Sequence, residues 1–220
     1  MTAQDALTLL HLLLFCYWLG GDIGVFYSAG FVVDAERSRE ARLTAAKIML
    51  GIDLVPRICM SLMLTVGGLL SEYAGISHPP WQLAGIILLG PLWLGMVLVL
   101  HFAHGAAFIP LLTRVDFLFR WLVIAGIIAS TAWSTASGRL ADAPWLAGKL
   151  LAFAFLVFCG LMIRVQFKGF ATAYGKLAAG TQTAADDAAM AASLARVRPW
   201  VVMIWAVLLL EAFLGVVQPG

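Results

Sequence analysis

The chain has 220 residues, of which 62% are hydrophobic and 12% are charged, and its mean hydropathy is +0.95. Soluble domains carry about twice that share of charged residues, so the composition excludes an ordinary soluble domain and indicates a membrane protein. The net charge of +2 provides no broad basic surface, so no nucleic-acid partner is expected.

The first apolar segment, residues 7–33, follows a short N-terminus without basic residues and without a small-residue cleavage pattern. We therefore expect a retained membrane span and not a signal peptide. A helix needs about 20 mainly apolar residues to cross a bilayer, and further segments of that kind follow along the chain. The sequence predicts an all-α integral membrane protein, one domain over residues 1–220 that forms a bundle of six transmembrane helices. The predicted spans are 7–33, 46–71, 82–104, 117–137, 146–167 and 200–218.

Lysine and arginine are distributed unequally between the two sides of the predicted bundle. Eleven of them fall in the first, third and fifth connections, and only Arg139 and Lys149 fall on the opposite side. Cytoplasmic connections collect positive charge, so both termini are predicted to lie outside, in the periplasm of a Gram-negative bacterium. The expected location is the bacterial inner membrane, with the lipid bilayer as the first partner.

The longest connection, about residues 168–198, is predicted to be a cytoplasmic helical segment. Thr183 and Asp186 have the spacing of a helix N-cap, and Gly180 separates this helix from the preceding span. Pro199 is expected to stop the helix before the last span.

Ionisable residues within the spans are costly and usually face the bundle interior. His11, Trp18 and Asp22 share one face of the first span, and Asp53 and Arg57 share a face of the second. We expect Arg57 to pair with Asp22 at a similar depth, with Asp53 as a second partner. Either the pairs are structural, or Arg57 binds an anion such as a porphyrin propionate or a quinone oxygen, and Asp22 carries protons.

Two histidines, His101 and His104, end the third span one turn apart. They are able to share a small metal ion, or either could ligate a heme iron, and they would then form a second heme site or a quinone pocket. Alternatively they are polar residues at the membrane boundary. They lie in the opposite leaflet from His11, so one heme held by His11 and His101 is disfavoured.

His11 has three expected neighbours at its own depth: His78 in the second connection, Lys149 at the start of the fifth span, and Met63 on the second span. Each is a candidate for a second axial ligand beside His11, and the alternative is that the second axial position is open. The cysteines all lie in apolar runs and are expected to be buried thiols. A path of soft ligands for Cu(I) is the alternative, and its members would be His11, Cys16, Cys59, Met60 and Met63.

Three segments resemble a known group of membrane proteins: LLHLLLFCYWLGGDIGVFY, which contains His11, KIMLGIDLVPRICMSLMLTVGGLL, and WLAGKLLAFAFLVFCGLMIRVQF, which contains Trp145 and Lys149. They are similar to helices of the copper-resistance-D-like proteins and of the heme-containing membrane protoporphyrinogen IX oxidases of bacteria. The resemblance implies that His11 is a heme ligand and that Lys149 is required for function. It also implies that the second span ends in a glycine-rich turn at Gly67 and Gly68.

The leading functional hypothesis is a protein that binds heme b between the first, second and fifth spans and has a redox or electron-transfer role. An oxidoreductase activity of the protoporphyrinogen-oxidase type is compatible with this hypothesis. A copper permease or copper-handling protein is the alternative. The third hypothesis is an accessory subunit of a larger membrane complex, because small residues on several spans permit close helix packing. A membrane redox partner, a quinone, or a homo-oligomer would be compatible with these hypotheses.

Overall fold

The computed structural model describes residues 1–103 and 105–219, which fold into α-helices joined by short connections. No strand occurs in these residues. The helices in chain order are α1 (Ala3–Val33), α2 (Arg39–Tyr73), α3 (Pro80–Phe102), α4 (Ile109–Ala136), α5 (Pro144–Gln166), α6 (Lys168–Ala179) and α7 (Ala184–Val217).

Local sequence signals set where the helices begin. Thr2 caps α1 and Thr183 caps α7, and in each case the acid three residues later completes a capping box. Helices α3, α4 and α5 each have a proline in the first turn, where the missing N–H costs no hydrogen bond. Gly180 ends α6 in the left-handed conformation (φ 72°), which glycine adopts without strain. The predicted cap at Thr183 and the predicted break at Gly180 are confirmed.

Five helices are long and apolar enough to cross a membrane: α1, α2, α3, α5 and α7. By length and composition the chain is therefore an all-α, multi-pass membrane protein. The fourth predicted span corresponds to α4, which is not among these five. Helix α4 begins at Ile109, eight residues before the predicted span, so that Asp116 lies within the helix. The sixth crossing stays a prediction.

The long helices form a closed ring, because neighbours along α1, α2, α3, α4, α5 and α7 contact each other and α7 returns to α1. Gly148 near the start of α5 lies against Leu214 near the end of α7, and His11 near the start of α1 lies against Gly67 of α2. We call this end of the bundle, where α1 begins and α7 ends, the terminal end. The opposite end, which holds the α1–α2 connection and α6, is the loop end.

The core runs through the centre of this ring, and its largest fully buried side chain is that of Trp93. Many large apolar side chains, such as Leu88 and Leu122, are instead exposed on the outside of the ring. A bilayer would cover them, as expected for lipid-facing positions. Cys59 and Cys159 are buried as predicted, but Cys16 is exposed, so the expectation of three buried thiols was wrong for Cys16.

Two sequence expectations about helix ends were wrong. Pro199 does not stop a helix: α7 continues through it from Ala184 to Val217. A membrane helix accommodates a proline when its surroundings satisfy the freed backbone groups. Gly67 and Gly68 do not form a turn but lie inside α2, where the absence of a side chain lets His11 and Ile86 approach the helix backbone.

Candidate functional site

His11 lies at the terminal end, on the face of α1 that packs against α2. A Cβ atom placed on Gly67 would lie 3.3 Å from Cε1 of the His11 ring, so the glycine leaves just enough room for the imidazole. The Nδ1 atom of His11 is buried and has no hydrogen-bond partner among the described residues. A buried polar atom without a partner is costly and usually marks a ligand, an ion or a water.

Lys149 of α5 lies across the bundle from His11, close enough for its charge to act on the His11 ring. Its Nζ atom lies 3.9 Å from Oε2 of Glu211 on α7, and both side chains are largely buried. The ammonium group also lies over Gly215, where a Cβ atom would be only 2.9 Å from Nζ. His11 and Lys149 therefore both lie at the terminal end of the bundle, and a direct contact between them stays a prediction.

Glu211 completes this group, and the sequence analysis missed it. Its Oε1 atom is buried and lacks a hydrogen-bond partner among the described residues. The sequence contains a signal for it, because Glu211 is the only acidic residue in the predicted last span. Ionisable residues within spans are usually functional. We call His11, Lys149 and Glu211 the terminal-end cluster. It presents two unpartnered polar atoms and one cation inside an apolar bundle.

Two other predicted neighbours of His11 have different surroundings. His78 bonds to Glu72: its backbone N–H donates to Oε1 at 2.8 Å, and its ring Nδ1 lies 2.5 Å from the same oxygen. This contact fixes the ring of His78 in the connection between α2 and α3. Met63 is buried in the core one turn along α2 from Gly67. Of the two, Met63 is thus the one inside the bundle near the cluster.

Arg57 pairs with Asp53, its second predicted partner, and the predicted pair of Arg57 with Asp22 is wrong. Arg57 forms its ion pair with Asp53, one turn away on the same helix, and its side chain is 50% exposed. The short spacing within one helix explains the choice, since residues four apart are neighbours on the helix surface. Asp22 takes part in none of the ion pairs among the described residues, and its Oδ2 atom is buried without a hydrogen-bond partner there.

Trp18 packs inside the bundle. Its side chain is buried, and its ring meets that of Phe153 on α5 edge to face, with centroids 6.3 Å apart. Trp18 therefore lies between Asp22 and the terminal-end cluster on one face of α1, as the sequence spacing predicted. It separates the two polar regions by an apolar layer.

A second buried polar group lies toward the loop end and is organised differently. Asp116 of α4 is 1% exposed, and its Oδ2 atom accepts from Nε of Arg120 at 3.1 Å and from Nη1 of Arg164 on α5. We call these three residues the loop-end network. The predicted fourth span begins at residue 117, so Asp116 was expected in the connection before it, and this network was not predicted from the sequence.

Arg120 connects this network to the core. Its guanidinium lies 5.4 Å from the ring centroid of Trp93 on α3, and Nη1 lies 3.7 Å from Sδ of Met60 on α2. Four helices therefore meet at the network. The Met60 contact bears on the copper hypothesis, because a fixed cation beside the sulfur disfavours a second cation there.

His101 lies in the last turn of α3, with its ring against that of Phe102 at 4.8 Å between centroids. It is at the loop end, in the opposite half of the bundle from His11, as predicted. His104 lies outside the described residues, so the predicted metal pair of His101 with His104 stays a prediction. Within the part of the chain that is described, no group of three or more His, Cys, Asp or Glu side chains is placed to hold a metal ion.

Comparison of the chain with protein-family models, with curated proteins and with solved structures found no match.

Proposed function

We propose that this chain is a heme-binding membrane protein with a redox or electron-transfer role, and that the terminal-end cluster holds the heme. The observation that carries the proposal is the buried Nδ1 atom of His11, which has no hydrogen-bond partner among the described residues and lies at the end of the bundle that also holds Lys149. Imidazole is a common axial ligand of heme iron. The resemblance of the first and fifth spans to heme-containing membrane oxidases supports the same pair of residues.

The residues around His11 fit such a group in three respects. His11 would ligate the iron, Lys149 and Met63 are the candidates for a second ligand, and Gly67 and Gly215 give the imidazole and the amine room against the helix backbones. The unpartnered Oε1 of Glu211 is a further acceptor for a polar substituent or a proton. When bound, heme supplies one-electron chemistry, and the chain positions it, excludes water and sets the local charge.

Heme suits these residues better than a bare metal ion does. The porphyrin itself provides four nitrogen ligands, so one or two protein ligands are enough. A bare ion such as zinc takes three or four protein ligands, and the described residues contain no cluster of three His, Cys, Asp or Glu. Copper handling and an accessory-subunit role are therefore outcomes of the test and not second proposals.

The proposed topology is six crossings, with α4 as the fourth and both termini on the outer side of a bacterial inner membrane. Side-chain contacts along α4 support this arrangement: Ser130 lies 3.4 Å from Gln82 near the start of α3, and Asp116 bonds to Arg164 near the end of α5. Helix α4 thus runs alongside its neighbours from one end of the bundle to the other. A quinone or a membrane redox protein would exchange electrons with the heme. The protein that carries this heme would be a monomer or a homo-oligomer.

The test is an absorption spectrum of the detergent-purified protein, oxidised and then reduced with dithionite, after expression with added heme. Iron and copper are measured in the same sample. We expect a Soret band, α and β bands that sharpen on reduction, and iron in proportion to protein. A colourless protein contradicts the proposal: co-purified copper then assigns it to copper handling, and no metal assigns it to an accessory role.

His11→Ala assigns the ligand, and His101→Ala is the matched control, because His101 lies at the other end of the bundle. We expect His11→Ala to lose the Soret band and His101→Ala to keep it. Loss in both variants, or in His101→Ala alone, would contradict the assignment to the terminal-end cluster.

A further inference from the structure

A further candidate site lies on the outer surface of the bundle at the loop end. A groove of about 290 Å³ lies there between the last turns of α1 and the middle of α7. Phe26, Tyr27 and Phe31 form its aromatic walls, and Gly30 forms a floor without a side chain. Two arginines, Arg37 and Arg198, reach over this groove.

Both arginines are held by aromatic rings. The guanidinium of Arg198 lies 5.0 Å from the ring centroid of Phe26, and that of Arg37 lies 4.4 Å from the centroid of Phe31. Arg198 also lies over Gly30, where a Cβ atom would be 3.7 Å from Nη2. Stacking on aromatic rings fixes the position of each cation while leaving its N–H groups available as donors.

The charges in the groove leave one cation in excess. Arg37 is neutralised by Asp34, whose Oδ2 accepts from Nε at 2.8 Å. Arg198 takes part in none of the ion pairs found among the described residues. An anionic group is therefore complementary to the groove, on the side of Arg198 away from the Asp34 carboxylate.

The surface next to the groove is apolar and continues toward the middle of the bundle. Ile23 lies one turn from Tyr27 on α1, Val202 lies one turn from Arg198 on α7, and both are exposed. The combination of a fixed cation, aromatic walls and an adjacent apolar track matches an amphiphile whose phosphate lies at the membrane surface and whose acyl chain runs along the helices.

We propose that this groove binds the headgroup of an anionic phospholipid, with its phosphate on Arg198 and an acyl chain along Ile23 and Val202. The occupant is a lipid and not a free anion, because the groove opens onto the apolar outer surface of the bundle. The site is separate from the terminal-end cluster, so the proposal does not depend on heme binding.

The experiment is native mass spectrometry of the full-length protein in mixed micelles with equal amounts of phosphatidylglycerol and phosphatidylcholine. We expect the wild-type protein to retain phosphatidylglycerol in preference to phosphatidylcholine. The preference should fall roughly fivefold in Arg198→Gln, the factor expected for one cationic side chain at an anionic membrane surface. Arg114→Gln is the matched control, because Arg114 is exposed near the start of α4 and lies outside the groove; this variant should keep the wild-type preference.

Three results would overturn the proposal. The first is no preference for phosphatidylglycerol in the wild-type protein, which needs no variant and so holds even if Arg198→Gln does not fold. The second is an equal loss in Arg198→Gln and Arg114→Gln, which would indicate general surface charge. The third is complete displacement of the lipid by inorganic phosphate, which would assign the groove to a free anion.

Discussion

The two buried polar groups of this protein differ in how their atoms are satisfied. In the loop-end network, one carboxylate oxygen of Asp116 receives both Arg120 and Arg164. In the terminal-end cluster, Lys149 is 3.9 Å from Glu211, and His11 has a buried nitrogen without a partner. The loop-end network pairs its charges through short contacts, although Oδ1 of Asp116 also lacks a partner among the described residues. The terminal-end cluster has no such short contact between its charges.

This difference separates a structural role from a binding role. Charges that are paired with short bonds can be retained inside a bundle and fix the positions of the helices that carry them. An imidazole without a hydrogen bond at its buried nitrogen and a loosely paired carboxylate cost stability, and a protein retains such groups when a ligand or a proton uses them. We therefore assign helix positioning to the loop-end network and ligand binding to the terminal-end cluster.

The largest expected effect is that of Asp116→Asn. The amide keeps the size of the carboxylate but leaves Arg120 and Arg164 without a buried counter-charge, so the free energy of unfolding should fall by about 3–5 kcal/mol. Reversible unfolding in detergent measures this change. Asp53→Asn is the control, because its partner Arg57 is half exposed, and it should cost clearly less. Equal losses in the two variants would remove the special role of the loop-end network.

A substitution between the two polar groups should have an intermediate effect. A Cβ atom on Gly21 would lie 2.8 Å from Cγ and Cδ of Pro56, and the proline ring has little freedom to move. We expect Gly21→Ala to lower the free energy of unfolding by about 1–3 kcal/mol through overpacking. At Gly20 nothing lies within 4 Å, so Gly20→Ala should leave stability unchanged or slightly raised. A similar cost at both positions would show that α1 and α2 are not in this close contact.

Glu211→Gln should have the smallest effect on stability. The carboxylate makes no hydrogen bond to Lys149 at 3.9 Å, and its Oε1 atom is already unpartnered. We expect the free energy of unfolding to fall by about 1 kcal/mol, because removal of the loosely paired carboxylate also removes its desolvation cost, which offsets much of the cost of leaving the Lys149 ammonium without its counter-charge. A loss as large as that of Asp116→Asn, measured in the same unfolding experiment, would make the terminal-end cluster structural as well.

Much of the architecture was predictable from sequence periodicity and capping residues. The apolar runs located the helices, the spacing of His11 and Trp18 gave the inward face of α1, and Thr183 with Gly180 placed the ends of α6 and α7. These features depend on residues close together in the chain, where simple rules of helix geometry apply.

The polar contacts were less predictable, for two physical reasons. The apolar pattern of α4 begins after Asp116, whereas the helix begins at Ile109, so hydropathy placed the carboxylate of the loop-end network in a connection. Arg57 was expected to reach Asp22 on another helix, with Asp53 as a second partner. Among the described residues it pairs with Asp53 alone, which lies on the same helix, so this ion pair does not depend on how two helices pack. Pairing between helices depends on helix rotation, which spacing within one helix does not determine.

The most direct test of the division between the two ends compares heme retention and stability in His11→Ala and Asp116→Asn, purified after expression with added heme. We expect the His11→Ala protein to fold and to be colourless. We expect the folded fraction of the Asp116→Asn protein to keep its Soret band but to unfold more easily than the wild-type protein. A His11→Ala protein that retains heme, or a folded Asp116→Asn protein that has lost it, would contradict the division of roles between the two ends of the bundle.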